Sequence, residues 1–400
     1  MRRAILLAGG ALVAGMFVMS RSGDSDPAAG DGKPSATPEA MINGAPLAEA
    51  PKPAPPPAAP PKLLLDQMQL VGDHYEAPQS DGTHVRLTLD PALQAQAEKL
   101  LDQARAPRGA IVAMAPDGRI LAIAGRKTEE PKGGTKGTRD LGLATESWAP
   151  AASVFKLVTA SALVEAGVDP DDKVCYHGGI RSVNESNLVD GKRDNNCNSL
   201  IYGVAHSNNA ILGKLAYQKL APDKLDSLAH DFVGGQSELA LPHDKNLAFA
   251  QAAAGFQGVK LSVMGGALLA ATFADGGEQP VPHLIADAEP EAKKILPADV
   301  AKAVSRMMVG TCEFGSAARS FGKRRSYSVA GKTGTLATSE PFYMENSWFV
   351  GYAPADKPQI IVSVLLGNPE NWHLRGHEAA RTLIDRAIRR DPDRQARSDK

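Results

Sequence analysis

This 400-residue chain carries almost no net charge, with 44 lysines and arginines against 45 aspartates and glutamates, a formal balance of −1. That excludes a general polyanion binder, and nucleic acid is not an expected partner. Cysteine is scarce, and none of the three follows the apolar start of the chain, which excludes a lipoprotein anchor. There is no internal repeat and no Gly-x-Ser-x-Gly turn of the kind that presents a nucleophile in α/β-hydrolases. His373 and His377 have the spacing of metal ligands on a helix, but Gly376 intervenes and no third ligand is evident. They read as surface or loop histidines, and neither a metal nor a cofactor is predicted.

What is present begins at the amino terminus. Arg2 and Arg3 precede an apolar run that ends at Met19, a positive region followed by a short hydrophobic segment, as export signals are built. No small-x-small cleavage site directly follows, so an uncleaved signal anchor over residues 1–20 is expected, with a cleaved signal as the competing reading. From residue 21 to about 80 the composition turns to Pro, Ala, Gly and Asp, which cannot form a packed core. This predicts a linker able to reach about 100 Å if extended. The folded part is expected over residues 81–390, ahead of a charged tail at 391–400. At 43% hydrophobic, the chain can bury one large core or two modest ones.

The elements read as follows. Residues 109–116 and 119–125 are strand-like runs joined at Asp117-Gly118, a strong hairpin signal. Residues 326–331, 346–352 and 360–366 give further strands, followed by a helix over 378–389. Asp90 and Pro91 mark the start of another helix. The middle of the chain is helix-compatible at 151–166, 209–220 and 259–274. Strands at both ends around a helical middle predict an α+β fold, an antiparallel sheet flanked by helices with a helical subdomain. Cys175 and Cys197 bracket an Asn- and Gly-rich excursion, and a disulfide between them would contribute about 3 kcal/mol. Two free thiols are the alternative.

Three short motifs then stand in order: Ser153-Val154-Phe155-Lys156, Ser207-Asn208-Asn209 and Lys332-Thr333-Gly334-Thr335. A serine hydroxyl is a poor nucleophile until its proton is removed, and a lysine three residues later on a helix lies within reach. The apolar flank of Lys156 predicts a pKa lowered by desolvation. Ser153 at a helix start would have free backbone N–H groups to hold an oxyanion. Ser207, just ahead of a helix, suits a fixed wall. Lys332 and the threonine hydroxyls would project from a sheet edge towards a carboxylate, and Gly334 would let a substrate backbone lie close. Gly331-Lys332-Thr333 also resembles the end of a phosphate loop, but Ser326 stands where its first glycine should be.

Rival patterns lack this setting. Ser320-Phe321-Gly322-Lys323 runs into Arg324 and Arg325 and reads as a solvated basic loop, with no apolar helix to position or desolvate Lys323. Ser182-Val183-Asn184 lies inside the excursion between the cysteines. His206, beside Ser207, would point away from it on any regular element.

With these motifs the chain resembles a penicillin-binding protein transpeptidase domain, of the serine acyl-transferase family that also contains β-lactamases. The resemblance covers roughly residues 83–389 and includes Thr88-Leu89-Asp90-Pro91, the hairpin at residues 113–122 and Trp348-Phe349-Val350-Gly351-Tyr352. It implies a D,D-transpeptidase in which Ser153 attacks between two D-alanines of a peptidoglycan stem peptide and passes the acyl group to a neighbouring amine. Lys156 would be the base. Ser207 would relay a proton and Asn209 would hold the substrate amide. Lys332, Thr333, Gly334 and Thr335 would form the carboxylate-binding strand, with the N–H groups of Ser153 and Thr335 as oxyanion hole.

β-lactam antibiotics are the implied second ligand, and the implied location is the outer face of the cytoplasmic membrane, with the periplasm or wall around it. The family often has Pro-Gly-Ser before the nucleophile where this chain has Pro150-Ala151-Ala152-Ser153. The length leaves no room for a glycosyltransferase domain, so a monofunctional, compact version is expected. A D,D-carboxypeptidase or β-lactamase would use the same acylation site and differ in delivering water; Asn209 speaks against lactamases whose second motif ends in an apolar residue. A non-catalytic β-lactam or wall sensor is the alternative from another class.

Overall fold

Asp117 and Gly118 turn the chain between β1 (Arg108–Met114) and β2 (Ile120–Lys127). Gly118 has φ +93°, and a β-carbon there would come within 2.4 Å of the Val281 carbonyl oxygen, so both conformation and space require glycine. The computed structural model describes residues 61–128, 137–179, 181–322 and 326–389. The hairpin belongs to a six-stranded antiparallel sheet completed by β3 (Thr138–Arg139), β4 (Ala330–Thr338), β5 (Met344–Ala353) and β6 (Ile360–Asn368), in the order β4-β5-β6-β1-β2-β3. Residues from distant parts of the sequence thus pair at β6 and β1, Val364 lying opposite Ile111.

Alternation along the strands divides two cores. Ala110, Val112 and Met114 face one, whereas Ile111 and Ala113 face the other. All nine residues of β6 are buried because helices cover both faces of the sheet. On one face lie α1 (Pro91–Ala104) and α10 (Gly376–Arg389). Asp90 caps α1 by accepting from the N–H groups of Ala92 and Leu93, with Pro91 as the first helical residue.

The other face packs against the helical middle of the chain. Its elements are α2 (Lys156–Glu165), α3 (Leu200–Ala205), α4 (Asn209–Lys219), α5 (Pro222–Val233), α6 (Leu247–Ala253), α7 (Val263–Ala274) and α8 (Ala298–Glu313), whereas the short α9 (Ala318–Phe321) returns to the side of α1 and α10, where Phe321 stacks on Phe349. Residues 263–273 of α7 are buried on every side, as expected for a helix at the centre of a core. Gly266 lets it lie close to the sheet, since a β-carbon would come within 2.6 Å of Ser363 Oγ. The α+β architecture with a helical subdomain is what the sequence predicted.

Four expectations change. The stretch assigned to the linker already contains structure before residue 80, a helical turn at Leu65–Gln67 and strands at Gln69–Val71 and His74–Pro78. Leu63, Leu65 and Tyr75 pack on the core there, and Gly72 makes the turn at φ +63°. The segment 259–274 is not one helix: Val259–Leu261 is a strand, with Lys260 exposed between two buried neighbours, and Ser262 caps α7. The segment 151–166 begins as a 3₁₀ turn, Ala152–Phe155, before α2. The strand expected at residues 326–331 instead starts at Ala330 and runs through the Lys332 motif.

Cys175 and Cys197 lie opposite each other in the paired strands Lys173–Tyr176 and Asn196–Ser199 and are joined by a disulfide. The signal anchor, the linker up to residue 60, the basic run Lys323-Arg324-Arg325 and the tail lie outside the described residues. Among the described residues no helix is long and apolar enough to cross a membrane.

Candidate active site

The chain enters the site through a short strand, Ala149–Pro150, paired with Val259–Leu261. The buried Trp348 of β5 donates from Nε1 to the Pro150 carbonyl at 2.9 Å, and Ala151 N–H donates to Val259 at 3.0 Å. Ala152 then takes φ +50°, a left-handed conformation unfavourable for a residue with a β-carbon. Gly255, at φ +89°, lies directly against it, and a β-carbon there would come within 2.1 Å of the Ala152 carbonyl oxygen. This clamp places Ser153 in the 3₁₀ turn, half-buried, with Lys156 opening α2 behind it.

Lys156 is fully buried. Its Nζ lies 2.8 Å from Ser153 Oγ and also contacts the Ala254 carbonyl oxygen. Burial, reinforced by the charge of Lys332, holds its pKa well below the usual lysine value. A neutral amine can donate to the Ala254 carbonyl while its lone pair accepts from the Ser153 hydroxyl.

Ser207 occupies the link between α3 and α4 at φ +57°. It does not adjoin the helix directly: Asn208 intervenes as the cap, its side chain accepting from Ile211 N–H at 3.1 Å. Asn209 is the first residue of α4 and is almost wholly buried. Because Ser207 lies outside regular structure, His206 is not directed away, and both residues line the same cavity. The His206 ring lies against Tyr202, with centroids 4.2 Å apart and planes tilted by 33°, and burial lowers its pKa.

The third motif lies within β4, the edge strand of the sheet, rather than beyond its end. Alternation turns Lys332 and Gly334 inward and Thr333 and Thr335 towards the cavity. Lys332 Nζ donates to Ser207 Oγ and to the Thr333 carbonyl, both at 2.9 Å, which ties the second and third motifs together. Burial lowers its pKa to about 7, while the nearby Cys312 works in the opposite direction. A β-carbon on Gly334 would meet Val154 Cγ2 and Trp348 Cβ at 3.2 Å, so the glycine also admits the turn that carries Ser153.

Ser153, Ser207, Asn209, Thr333 and Thr335 line one cavity of about 440 Å³. Arg181, His206, Ser316 and Glu345 join them without belonging to any motif. Ser316 exchanges a 2.6 Å hydrogen bond with Thr333. The rival Ser320 is elsewhere, in a groove of about 740 Å³ bordered by α1, α9 and α10. It is nearly buried rather than on a solvated loop, because α9 turns it inward. Asn184 caps a 3₁₀ turn together with Asn187. His377 lies in the first turn of α10, and no group of three candidate metal ligands occurs among the described residues.

The penicillin binding protein transpeptidase domain family matches residues 109–388. The chain belongs to this family. Stage V sporulation protein D of Bacillus subtilis is 27% identical over 355 residues, covering 79% of this chain and 54% of that protein. Penicillin-binding protein PbpB of Mycolicibacterium smegmatis is 23% identical, covering 72% and 51%, and the probable peptidoglycan D,D-transpeptidase PenA of Neisseria flavescens 25%, covering 77% and 82%. The chain spans about half the length of the first two of these relatives. Among solved structures, penicillin-binding protein A from Mycobacterium tuberculosis superposes with a TM-score of 0.60 at 22% identity, covering 76% of this chain and 82% of that one. Penicillin-binding protein 3 from the same organism, in complex with aztreonam, gives 0.62 at 21%, covering 79% and 82%. These similarities establish the family and the penicillin-binding transpeptidase fold.

Proposed function

We propose that this protein is a serine D,D-transpeptidase that cross-links peptidoglycan stem peptides and is acylated by β-lactams at Ser153. The observation that carries this reading is the pairing of two serine hydroxyls with two fully buried lysines along one cavity, Ser153 with Lys156 and Ser207 with Lys332.

The chemistry runs in two halves. Neutral Lys156 accepts the Ser153 proton as Oγ adds to the carbonyl between the two terminal D-alanines, and the N–H groups of Ser153 and Thr335 hold the oxyanion. Ser207 relays a proton to the departing nitrogen, so that D-alanine leaves as the free amine and an ester remains on Ser153. The amine of a second stem peptide then adds to the ester and Oγ recovers its proton. Asn209 orients the substrate amide, while Thr333 and Thr335, with the positive charge of Lys332 behind them, bind the terminal carboxylate. A β-lactam follows the first half only, because its ring-opened nitrogen stays attached and does not leave the site.

An apolar segment at the start of the chain, Arg2 and Arg3 ahead of it and the Pro- and Ala-rich stretch after it support a domain exported to the cell envelope and tethered outside the cytoplasmic membrane. The test is the intact mass of the protein after mixing with benzylpenicillin, beside Ser153→Ala. A long-lived adduct that requires Ser153 is expected. Rapid loss of the adduct with destruction of the drug would mark a hydrolase instead, and no adduct would refute the assignment.

A further inference from the structure

Beside the site cavity lies a second one of about 910 Å³, and Arg181 and His206 line both. One wall comes from the disulfide-joined strands, where Tyr176 lies opposite Asn196 and Asn198 Nδ2 donates to Tyr176 Oη at 3.0 Å. Tyr202 of α3 contributes a further ring. Phenol rings and side-chain amides offer flat surfaces together with paired donors and acceptors, the complement of peptide groups. No carboxylate is among the described residues lining this cavity, and the permanent charge among them is the Arg181 guanidinium. A ligand bearing an ammonium group would meet like charge here. One bearing a carboxylate would find a planar partner able to make two parallel hydrogen bonds.

The wall is fixed to the same helix that carries Asn209. Gly179, at φ +78°, accepts from Ala210 N–H at 3.0 Å, and a β-carbon on it would overlap Ala210 Cβ at 2.0 Å. Four residues further along α4, Lys214 is wholly buried. Its Nζ donates to the Cys175 carbonyl and to Asp194, both at 2.7 Å, and pairs with Asp190 at 2.9 Å. A buried cation is tolerable only when its partners are close and complete, so this cluster holds the excursion in one position against α4. The second cavity is therefore held in register with the catalytic one.

We infer that this cavity is a second subsite for the same wall peptide: it takes a carboxylate-bearing amide stretch of the acyl donor, remote from the scissile bond, with Arg181 on the carboxylate. The inference rests on the acyl-transfer reading of the neighbouring site. It assigns the cavity to the anionic part of the donor and not to the attacking amine.

The test is calorimetric binding to the full chain carrying Ser153→Ala. One probe is diacetyl-lysyl-D-alanyl-D-alanine. The other carries in addition an N-acetylated D-glutamate joined through its side-chain carboxyl, so that its α-carboxylate is free. The longer peptide is expected to bind about tenfold tighter. Amidation of that carboxylate, or Arg181→Ala in the protein, is expected to reduce the advantage to about twofold, with Arg181→Lys retaining part of it. Equal dissociation constants for the two peptides, or an advantage that survives both amidation and Arg181→Ala, would overturn the inference. Benzylpenicillin adduct formation on the native chain reports separately on the function. An adduct together with equal dissociation constants removes the subsite alone, whereas a tenfold advantage without an adduct keeps Arg181 as a carboxylate-binding position for the peptide and removes the transferase reading with its acyl-donor role.

Discussion

Replacing Lys156 by methionine keeps an unbranched side chain in a fully buried position while deleting the amine 2.8 Å from Ser153 Oγ. If that amine is the general base, acylation by benzylpenicillin should slow by about 10²- to 10⁴-fold. At about 1.4 kcal/mol per tenfold, this raises the barrier by about 3–5 kcal/mol. Stability should respond much less. The variant no longer buries a basic group, which offsets the donor lost to the Ala254 carbonyl, a loss of about 1–3 kcal/mol for an unsatisfied buried acceptor. The wild-type rate should fall with acidification through the lowered lysine pKa, because protonation removes the lone pair, and this limb should vanish in the variant. Lys156→Arg sharpens the case, since a guanidinium donates hydrogen bonds but does not surrender its proton at these pH values. The assay is the second-order acylation rate, read by intact mass from pH 5 to 9 alongside melting curves. A Lys156→Met chain that acylates within fivefold of wild type, with the same acid limb, would refute the role.

Three further outcomes are expected. Converting Cys175 and Cys197 to serine opens a 22-residue closure and should cost about 3 kcal/mol in denaturant unfolding; no change in midpoint would show that the Lys214 cluster alone holds the excursion. Gly255→Ala forces a β-carbon into the Ala152 carbonyl at a positive φ, and should slow acylation at least about tenfold with a lowered melting temperature, an expectation that wild-type kinetics would sink. Lys332 has a folded pKa of about 7 against 10.5 unfolded, so between these values the unfolded chain binds more protons and stability rises with pH. Lys332→Met should remove up to about 1.4 kcal/mol per pH unit of that slope, compared by urea midpoints at pH 7, 8 and 9.

Much of this architecture could be read in the sequence because its signals are local. The Asp117-Gly118 turn, the Asp90 cap and the apolar run of β6 each act within a few residues of themselves. The buried state of Lys156 was legible from the apolar flank of its helix. The signals that failed are those decided by tertiary contact. Val259–Leu261 reads as the start of a helix but becomes a strand because Ala149–Pro150 pairs with it. His206 adjoins Ser207 in sequence, yet only the left-handed backbone at Ser207 brings both to one cavity. Arg181, Ser316 and Glu345 arrive from other parts of the chain with no motif to announce them. Gly334 lies in its strand against Val154 and Trp348, a packing demand that no local signal announces.

The two buried lysines also make the site responsive to the charge of its substrate. The charge on Lys332 helps to depress the pKa of Lys156, so the cation proposed to face the carboxylate helps to keep the proposed base neutral. With its pKa near 7, however, Lys332 is itself largely uncharged in the empty site on the alkaline side of neutrality. A carboxylate docking on Thr333 and Thr335 places a negative charge beside it and raises that pKa, which recruits the missing proton. Binding of a D-alanyl-D-alanine peptide to the Ser153→Ala chain should therefore take up a proton, about half of one at pH 7 and most of one at pH 8. Calorimetry in buffers of different ionisation enthalpy measures this directly. The uptake should disappear in Ser153→Ala/Lys332→Met and for a peptide whose terminal carboxylate is amidated. Binding at pH 8 with no buffer dependence would mean that Lys332 is already charged in the empty site, and that the carboxylate meets a fixed cation rather than one it recruits.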